Sequence, residues 1–354
     1  MSRHFFPGGN TPSGFFSYFD SIAFHGERTV YLKGTSGSGK STFMRRAAAA
    51  FEAQGIEAEY FHCSNDPVSL DGICMPGASL CIVDGTAPHV QDPAVPVAHG
   101  EIFNMAAFIN PEAVEAHRDE LISLAEMKQR SCARAYGYLA AAWAVARNNG
   151  RIYSQCLDLA KLNDAALWAI AQLDGKGFPG KAGRDRKLFA AALSPEGLVS
   201  TLDSLMDQEN IYVLRGETGM GTDIFLERLR EAANLRGFDT ESLCCPLDPG
   251  RPEHLVIPAL NLGFFTNSRL WEVEFPARAR EINFFDFLDE GVKEYREEIE
   301  YNDARFDELA GRTVLTLAAQ RKMHDRVEEI YMAGMDFDKL NEACDALIAR
   351  LMER

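Results

Sequence analysis

Gly34-Thr35-Ser36-Gly37-Ser38-Gly39-Lys40-Ser41 follows the apolar run Thr29-Val30-Tyr31-Leu32 and leads into the helix-like Thr42-Phe43-Met44-Arg45-Arg46-Ala47. Strand, glycine-rich loop and helix in this order, with Lys and Ser closing the loop, match the nucleoside-triphosphate P-loop at every fixed position. The glycines permit backbone angles other residues resist. Loop amides and the following helix N-terminus then form an anion-binding cup. Lys40 is placed to reach the β- and γ-phosphates, and the Ser41 hydroxyl to ligate Mg²⁺. The expected nucleotide-binding residues are therefore Gly34, Thr35, Ser36, Gly37, Ser38, Gly39, Lys40, Ser41 and Thr42, with ATP or GTP and Mg²⁺ as cofactors.

A second copy, Gly216-Glu217-Thr218-Gly219-Met220-Gly221-Thr222-Asp223, follows the strand-like Asn210-Ile211-Tyr212-Val213-Leu214. It keeps the glycines but has neutral Thr222 in place of the lysine and anionic Asp223 in place of the hydroxyl. One nucleotide site per chain is expected, with a structural role for the second loop.

The duplication extends well beyond the loops. Cys63, Asp66, Pro67 and Pro76 recur as Cys245, Asp248, Pro249 and Pro258, at the 182-residue offset that relates Gly34 to Gly216. Further on, Val114, Arg118, Arg134 and Ile152-Tyr153 recur as Val292, Arg296, Arg312 and Ile330-Tyr331, now offset by 178. A whole-domain tandem repeat follows. The 354 residues divide naturally into residues 1–180, the intact half, and 181–354, the disarmed half, each long enough to bury its own core. The boundary is expected within residues 174–183, rich in Gly and Lys and broken by Pro179. Short apolar runs separated by a helix predict an α/β fold. Each half should form a mostly parallel sheet with crossover helices, followed by a helical region opened at Asn110-Pro111 in the first half.

Candidate chemistry gathers after the first loop. Ser79-Leu80-Cys81-Ile82-Val83-Asp84 reads as a strand ending in a carboxylate suited to hold Mg²⁺, so Ser41 and Asp84 are the metal candidates. The second half has Phe264-Phe265-Thr266 there. Gly85 excludes a glutamate base directly after Asp84. The polar segment from His62 to Gly72 is expected as a loop facing the γ-phosphate, with Asp66 as candidate base and Asp71 or His89 next in line. Lys40, Asp66 and Asp84 form the expected catalytic set. Arg118 and Arg134 could supply a cation, but Arg296 and Arg312 persist in the disarmed half, which favours structural ion pairs. His62 and Cys63 read as buried neighbours of a strand end.

Together, the double loop, Phe6-Pro7-Gly8-Gly9-Asn10-Thr11, His62-Cys63-Ser64-Asn65-Asp66-Pro67 and Val83-Asp84-Gly85-Thr86-Ala87-Pro88-His89 resemble a bacterial family of tandem P-loop ATPases. The resemblance covers nearly the whole chain. It implies a soluble bacterial nucleotide-binding protein and carries over no substrate.

A net charge of −16 argues against a general nucleic-acid surface. No signal-like apolar stretch follows the first residues, and the Ala-rich run 135–146 is too short to span a membrane, so a cytoplasmic protein is expected. Eight cysteines without CxxC spacing are expected as reduced, mostly buried thiols. Two function classes remain open. One is an enzyme hydrolysing ATP or GTP, or passing its phosphoryl group to a small molecule; the other is a nucleotide-dependent switch or scaffold binding a protein partner.

Overall fold

The computed structural model describes residues 2–87, 89–173, 180–271 and 274–353. Residues 174–179 of the expected boundary lie outside them. The first half contains β1 (Arg3–Phe5), β2 (Gly8–Thr11), β3 (Gly14–Ser17), β4 (Arg28–Lys33), α1 (Lys40–Glu52), β5 (Glu59–Cys63), β6 (Asp66–Met75), β7 (Leu80–Asp84) and β8 (Gly100–Asn104), then α2 (Pro111–Glu115), α3 (Arg118–Gln155) and α4 (Leu159–Ala171). The second half repeats the series as β9 (Asp185–Leu188), β10 (Ala191–Ser194), β11 (Gly197–Ser200), β12 (Asn210–Arg215), α5 (Thr222–Leu235), β13 (Thr240–Cys245), β14 (Asp248–Ile257), β15 (Leu262–Asn267) and β16 (Arg280–Asn283), then α6 (Arg296–Ala333) and α7 (Phe337–Met352).

Each half builds a six-stranded sheet in the same order, β1-β5-β6-β7-β4-β8 and β9-β13-β14-β15-β12-β16. The strand leading into each glycine loop sits between two parallel neighbours, β7 and β8 around β4, β15 and β16 around β12. The sheets are mixed, because β6 and β14 run antiparallel to both their neighbours. The segment expected as a polar loop is therefore largely strand. Only its Ser64-Asn65 tip turns, and the pairing is bulged around His62 and Cys63. The strand forms because residues from Leu70 to Met75 are buried in the middle of the sheet, where an unpaired backbone would leave its polar groups without partners.

The helical regions depart furthest from expectation. Each packs on the sheet of the opposite half. Leu340, Cys344, Leu347, Ile348 and Leu351 of α7 recur on one helical face and enter the core of the first half with Val30, Leu32, Phe43, Met44 and Ile82. Leu162, Ala166 and Ala169 of α4, with Leu173, enter the core of the second half beside Leu214, Phe225 and Phe264. Backbone hydrogen bonds fix the exchange. Asn110 N–H donates to the Gly334 carbonyl (2.8 Å) and Asp336 N–H to the Phe108 carbonyl (2.9 Å). The equivalent pair on the other side is Asp158 N–H to the Phe287 carbonyl and Asp289 N–H to the Cys156 carbonyl, both 2.8 Å. Asp158 and Asp336 also cap α4 and α7 through their side chains. The 38-residue helices α3 and α6 run antiparallel, since Glu120 meets Arg326, Cys132 meets Gln320, and Asn149 meets Asn302.

Near the pseudo-twofold axis, Phe6 and Phe189 join the two sheets through reciprocal backbone hydrogen bonds of 2.9 and 3.0 Å. Beside them lies a cluster of two arginines and two glutamates contributed by equivalent positions. Arg186 donates to Glu59 (2.7 Å) and Glu241 (3.3 Å), and Arg3 to Glu59 (3.1 Å) and also to Glu241. The cluster is neutral as a whole, so its burial is tolerable, but removal of one partner would strand a buried charge. Among the described cysteines, Cys74 and Cys81 on neighbouring β6 and β7 form a disulfide, which corrects the expectation of thiols throughout; Cys156, Cys244, Cys245 and Cys344 are buried and free. Among the described residues no helix is long and apolar enough to cross a membrane.

The exchange means that neither half owns a complete core. Burying the five apolar side chains of α7 contributes roughly 2 kcal/mol each, a gross total comparable with the whole net stability of a domain, about 5–15 kcal/mol. Residues 1–180 expressed alone should therefore lack a cooperative thermal transition, and co-expression with residues 181–354 should restore one. Cooperative unfolding of either isolated half, followed by circular dichroism, would contradict this.

Candidate functional site

The first loop joins the end of β4 to α1. Gly37 and Gly39 adopt positive φ values of 77° and 82°, a conformation costly for residues with a Cβ. Gly219 and Gly221 repeat this at 92° and 88° in the second loop, so the two loops share their backbone form. They differ in what lines them.

In the first loop, Lys40 Nζ rests on the carbonyls of Thr35 (2.8 Å) and Gly34 (3.2 Å) and faces Asp84 Oδ2 at 3.6 Å. Lys40 and Asp84 are 11% and 13% exposed, sheltered from water without being sealed from it. Asp84 ends β7, directly beside Leu32 of β4. Its Oδ1 accepts from Thr86 N–H (2.9 Å) and from the Thr86 hydroxyl. Lys33 braces the chain after Asp84 by donating to the carbonyls of Gly85 and Gln91, each at 2.7 Å. Leu70 N–H of β6 donates to Ser41 Oγ at 3.0 Å, which sets this strand against the start of α1. Ser41 Oγ and the Asp84 carboxylate are hard oxygen donors of the kind Mg²⁺ takes, so the residues fit the expected metal.

Strand β6 also carries Asp71. It is buried, and burial, followed by the nearby charge of Asp84, pushes its pKa up to about 8, with Lys40 acting in the opposite sense. His89 Nε2 lies 3.6 Å from Asp71 Oδ2. Its ring stacks on Phe19 with centroids 4.1 Å apart, and burial lowers its pKa to about 4. Near neutral pH the pair is therefore an uncharged imidazole against a carboxyl that keeps its proton more readily than usual. Perturbed groups gathered in a cleft are a mark of functional sites. Asp66 sits apart from this pair. Its carboxylate accepts from Arg321 of α6 (2.9 Å) and from Ser69 (2.7 Å). The structure thus brings Lys40, Ser41, Asp84, Asp71 and His89 together, and ties Asp66 to the opposite half. Arg118 and Arg134 are exposed on α3. His62 is half-buried, accepted or donated to by His4 (2.9 Å) and the Pro67 carbonyl (2.7 Å), as a strand-end neighbour should be.

The second loop is lined by opposite chemistry. Met220 takes the place of Ser38, is fully buried, and its sulfur receives the Glu217 N–H at 3.2 Å, so the loop fills part of its own cup. Glu217 and Asp223 add two acids where the first loop has Thr35 and Ser41. Glu253, the counterpart of Asp71, is buried and ion-paired to Arg251 at 2.7 Å. Thr222 and Thr266 stand at the places of Lys40 and Asp84. Helix α3 presses on the loop: a Cβ on Gly219 would lie 2.2 Å from the Gly150 carbonyl oxygen. The Ser154 hydroxyl donates to the Gly219 carbonyl at 3.0 Å.

The helix facing the first loop is α6, from the second half. A Cβ on Gly37 would meet Met332 Cγ at 2.8 Å and the Glu328 carbonyl at 3.1 Å. Sequence reasoning missed this contribution, and with it Arg321, although the repeat offset that aligns Ile330 with Ile152 already set Arg321 against Trp143. Comparison with protein-family models, with curated proteins and with solved structures finds no match, so function is argued from this geometry.

The Asp71 environment predicts a pH dependence. A carboxyl whose pKa is raised in the folded chain keeps a proton that the unfolded chain has released, so its contribution to stability is lost as pH rises from about 4 to about 8. In metal-free protein, Asp71→Asn should therefore gain on the parent as pH rises from 5 to 8, reaching a few kcal/mol in chemical denaturation at pH 8. A stability difference that does not change with pH would contradict the assignment.

Proposed function

We propose that this chain is a Mg²⁺-dependent P-loop enzyme with one nucleotide site, which binds ATP or GTP at Gly34–Thr42 and hydrolyses or transfers the γ-phosphoryl group. The second half then serves as a non-catalytic repeat. One observation carries the reading. Lys40, Asp84 and Asp71 converge behind the first loop, whereas their counterparts behind the second are Thr222, Thr266 and a Glu253 already neutralised by Arg251. Loop amides and Lys40 would hold the phosphates. Mg²⁺ at Ser41 and Asp84 would neutralise charge that develops on the phosphates during transfer. Asp71 is the proposed acceptor of the proton from the attacking hydroxyl or water, with His89 orienting it; a base with a pKa near the working pH suits that task. Asp66, the carboxylate favoured from sequence, is assigned instead to holding Arg321. The resemblance to tandem P-loop ATPases and the lack of a membrane-spanning helix among the described residues are compatible with a cytoplasmic enzyme.

The contact between α6 and Gly37 favours a second reading, a nucleotide-dependent switch. A change at the first loop would reach the second half directly, where a protein partner could sense it. Rapid phosphate release stimulated by a small-molecule acceptor would support the enzyme, and slow turnover with nucleotide-dependent capture of a protein the switch.

Calorimetric titration with Mg–ATP and Mg–GTP tests the shared premise. One site per chain is expected, and Lys40→Ala should weaken binding by an order of magnitude or more, as when a phosphate-paired cation is removed. Glu217→Gln should leave binding unchanged; it is the better control in the second loop, because any side chain at Gly219 would strike the α3 backbone. Two sites per chain, or unaltered affinity in Lys40→Ala, would overturn the proposal.

A further inference from the structure

We propose that Arg321, carried on α6 by the half without a working loop, is a catalytic cation of the first loop's site, held by Asp66 at rest and transferred to the γ-phosphoryl group when nucleotide is bound. The inference rests on the nucleotide-binding reading above and adds a residue to it. Four observations point to it. Arg321 bonds Asp66 at 2.9 Å yet is 41% exposed, so its long side chain has room to change partner. Asp66 opens β6, whose Leu70 N–H bonds Ser41 Oγ, which puts the ion pair beside the hydroxyl end of the first loop. Arg321 lies two helical turns before Glu328, on the face of α6 that meets Gly37, about 10 Å along the axis.

The fourth observation is an asymmetry across the pseudo-twofold axis. Position 321 of α6 corresponds to Trp143 of α3, and His324 and Glu328 correspond to Ala146 and Gly150. Asp248 keeps the place of Asp66 in the second half, where Trp143 stands at the position of Arg321; Arg147 of α3 lines the same cavity as Asp248, and among the described residues no ion pair joins the two. Trp143 instead faces the guanidinium of Arg251, 6.0 Å from the ring centre. Over the second loop α3 presents Gly150 and the Ser154 hydroxyl, whereas α6 carries the ionisable Arg321, His324 and Glu328 on its side of the first loop. His324 stands 3.4 Å from Glu328 there, on the same edge as Arg321, Asp66 and Asp325.

In the step served, an oxygen of water or an acceptor hydroxyl bonds to the γ-phosphorus while that phosphorus loses its bond to the β–γ bridging oxygen. The electron pair stays on the leaving diphosphate, and the acceptor's proton passes to a carboxylate of the site and then to solvent. Charge grows on the bridging and γ oxygens, where a guanidinium supplied from a neighbouring element stabilises it. Arg321 should therefore matter for turnover and not for binding of the diphosphate product.

The test compares the parent with Arg321→Ala, Arg321→Lys and Arg326→Ala. Arg326→Ala breaks an α6 ion pair to Glu120 away from the loop and serves as the control. Thermal melting confirms folding, phosphate release gives turnover, and calorimetry gives affinity for Mg–ADP with and without aluminium fluoride. The proposal expects Arg321→Ala to lose turnover by 100-fold or more and to lose the fluoride-dependent gain in affinity, with Mg–ADP affinity within threefold of the parent. Arg321→Lys should recover part of both, and Arg326→Ala should match the parent. Turnover in Arg321→Ala within threefold of the parent, or equal losses in Arg321→Ala and Arg326→Ala, would overturn the proposal and leave the nucleotide site standing. A parent that binds neither ADP nor ATP would overturn both.

Discussion

The exchange of α4 and α7 between the two halves is the constraint on which the rest of the molecule depends. Each sheet offers an apolar face that its own half does not cover, and the helix that covers it arrives from the other half. Once α7 is committed to the first sheet, the chain before it must cross the molecule. This places α6 against the first loop, just as α3 is placed against the second. The antiparallel α3–α6 pair and the arginine–glutamate cluster at the axis then hold the two halves in one register. Duplication alone would leave two separable domains. This chain shares its cores, so without the second half the first lacks the α7 side of its core.

That dependence gives a physical account of an asymmetric repeat. The second half has Thr222, Asp223 and Thr266 at the places of Lys40, Ser41 and Asp84, and its cup is filled from within by Met220 and pressed from outside by Gly150 of α3. The first half takes α7 into its core and α6 as a wall against its loop. The wall differs in composition from its counterpart, with Met332 and Glu328 over the intact loop and Gly150 and Ser154 over the filled one.

The loops, β4, α1, β7 and the repeat were legible in the sequence because each is a local pattern. Gly34–Ser41 fixes strand, loop and helix within some twenty residues, and the offsets align the halves by inspection. Strand β6 was not legible. Asp66-Pro67-Val68-Ser69 begins it with turn-forming residues, and the pairings that hold β6 are those of Asp66 and Leu70 with β5 and of Gly72–Met75 with the neighbouring strands. The helix exchange was hidden for a different reason. The stripe Leu340, Cys344, Leu347, Ile348, Leu351 says that α7 needs an apolar partner and is silent about which sheet supplies it. Reading the 62–72 segment as a loop set Asp66 toward the phosphates; as a strand it carries Asp71 inward beside His89 and leaves Asp66 at the edge with Arg321.

The central claim is that one nucleotide site is assembled from the first loop and the opposite half's α6. Hydrogen–deuterium exchange with and without saturating Mg–nucleotide tests it directly, because it reads each segment in the intact chain. The account predicts added protection in residues 34–45 and 66–72 together with residues 321–332, and unchanged exchange in residues 216–223. Protection confined to the first half, or appearing at the second loop, would contradict it.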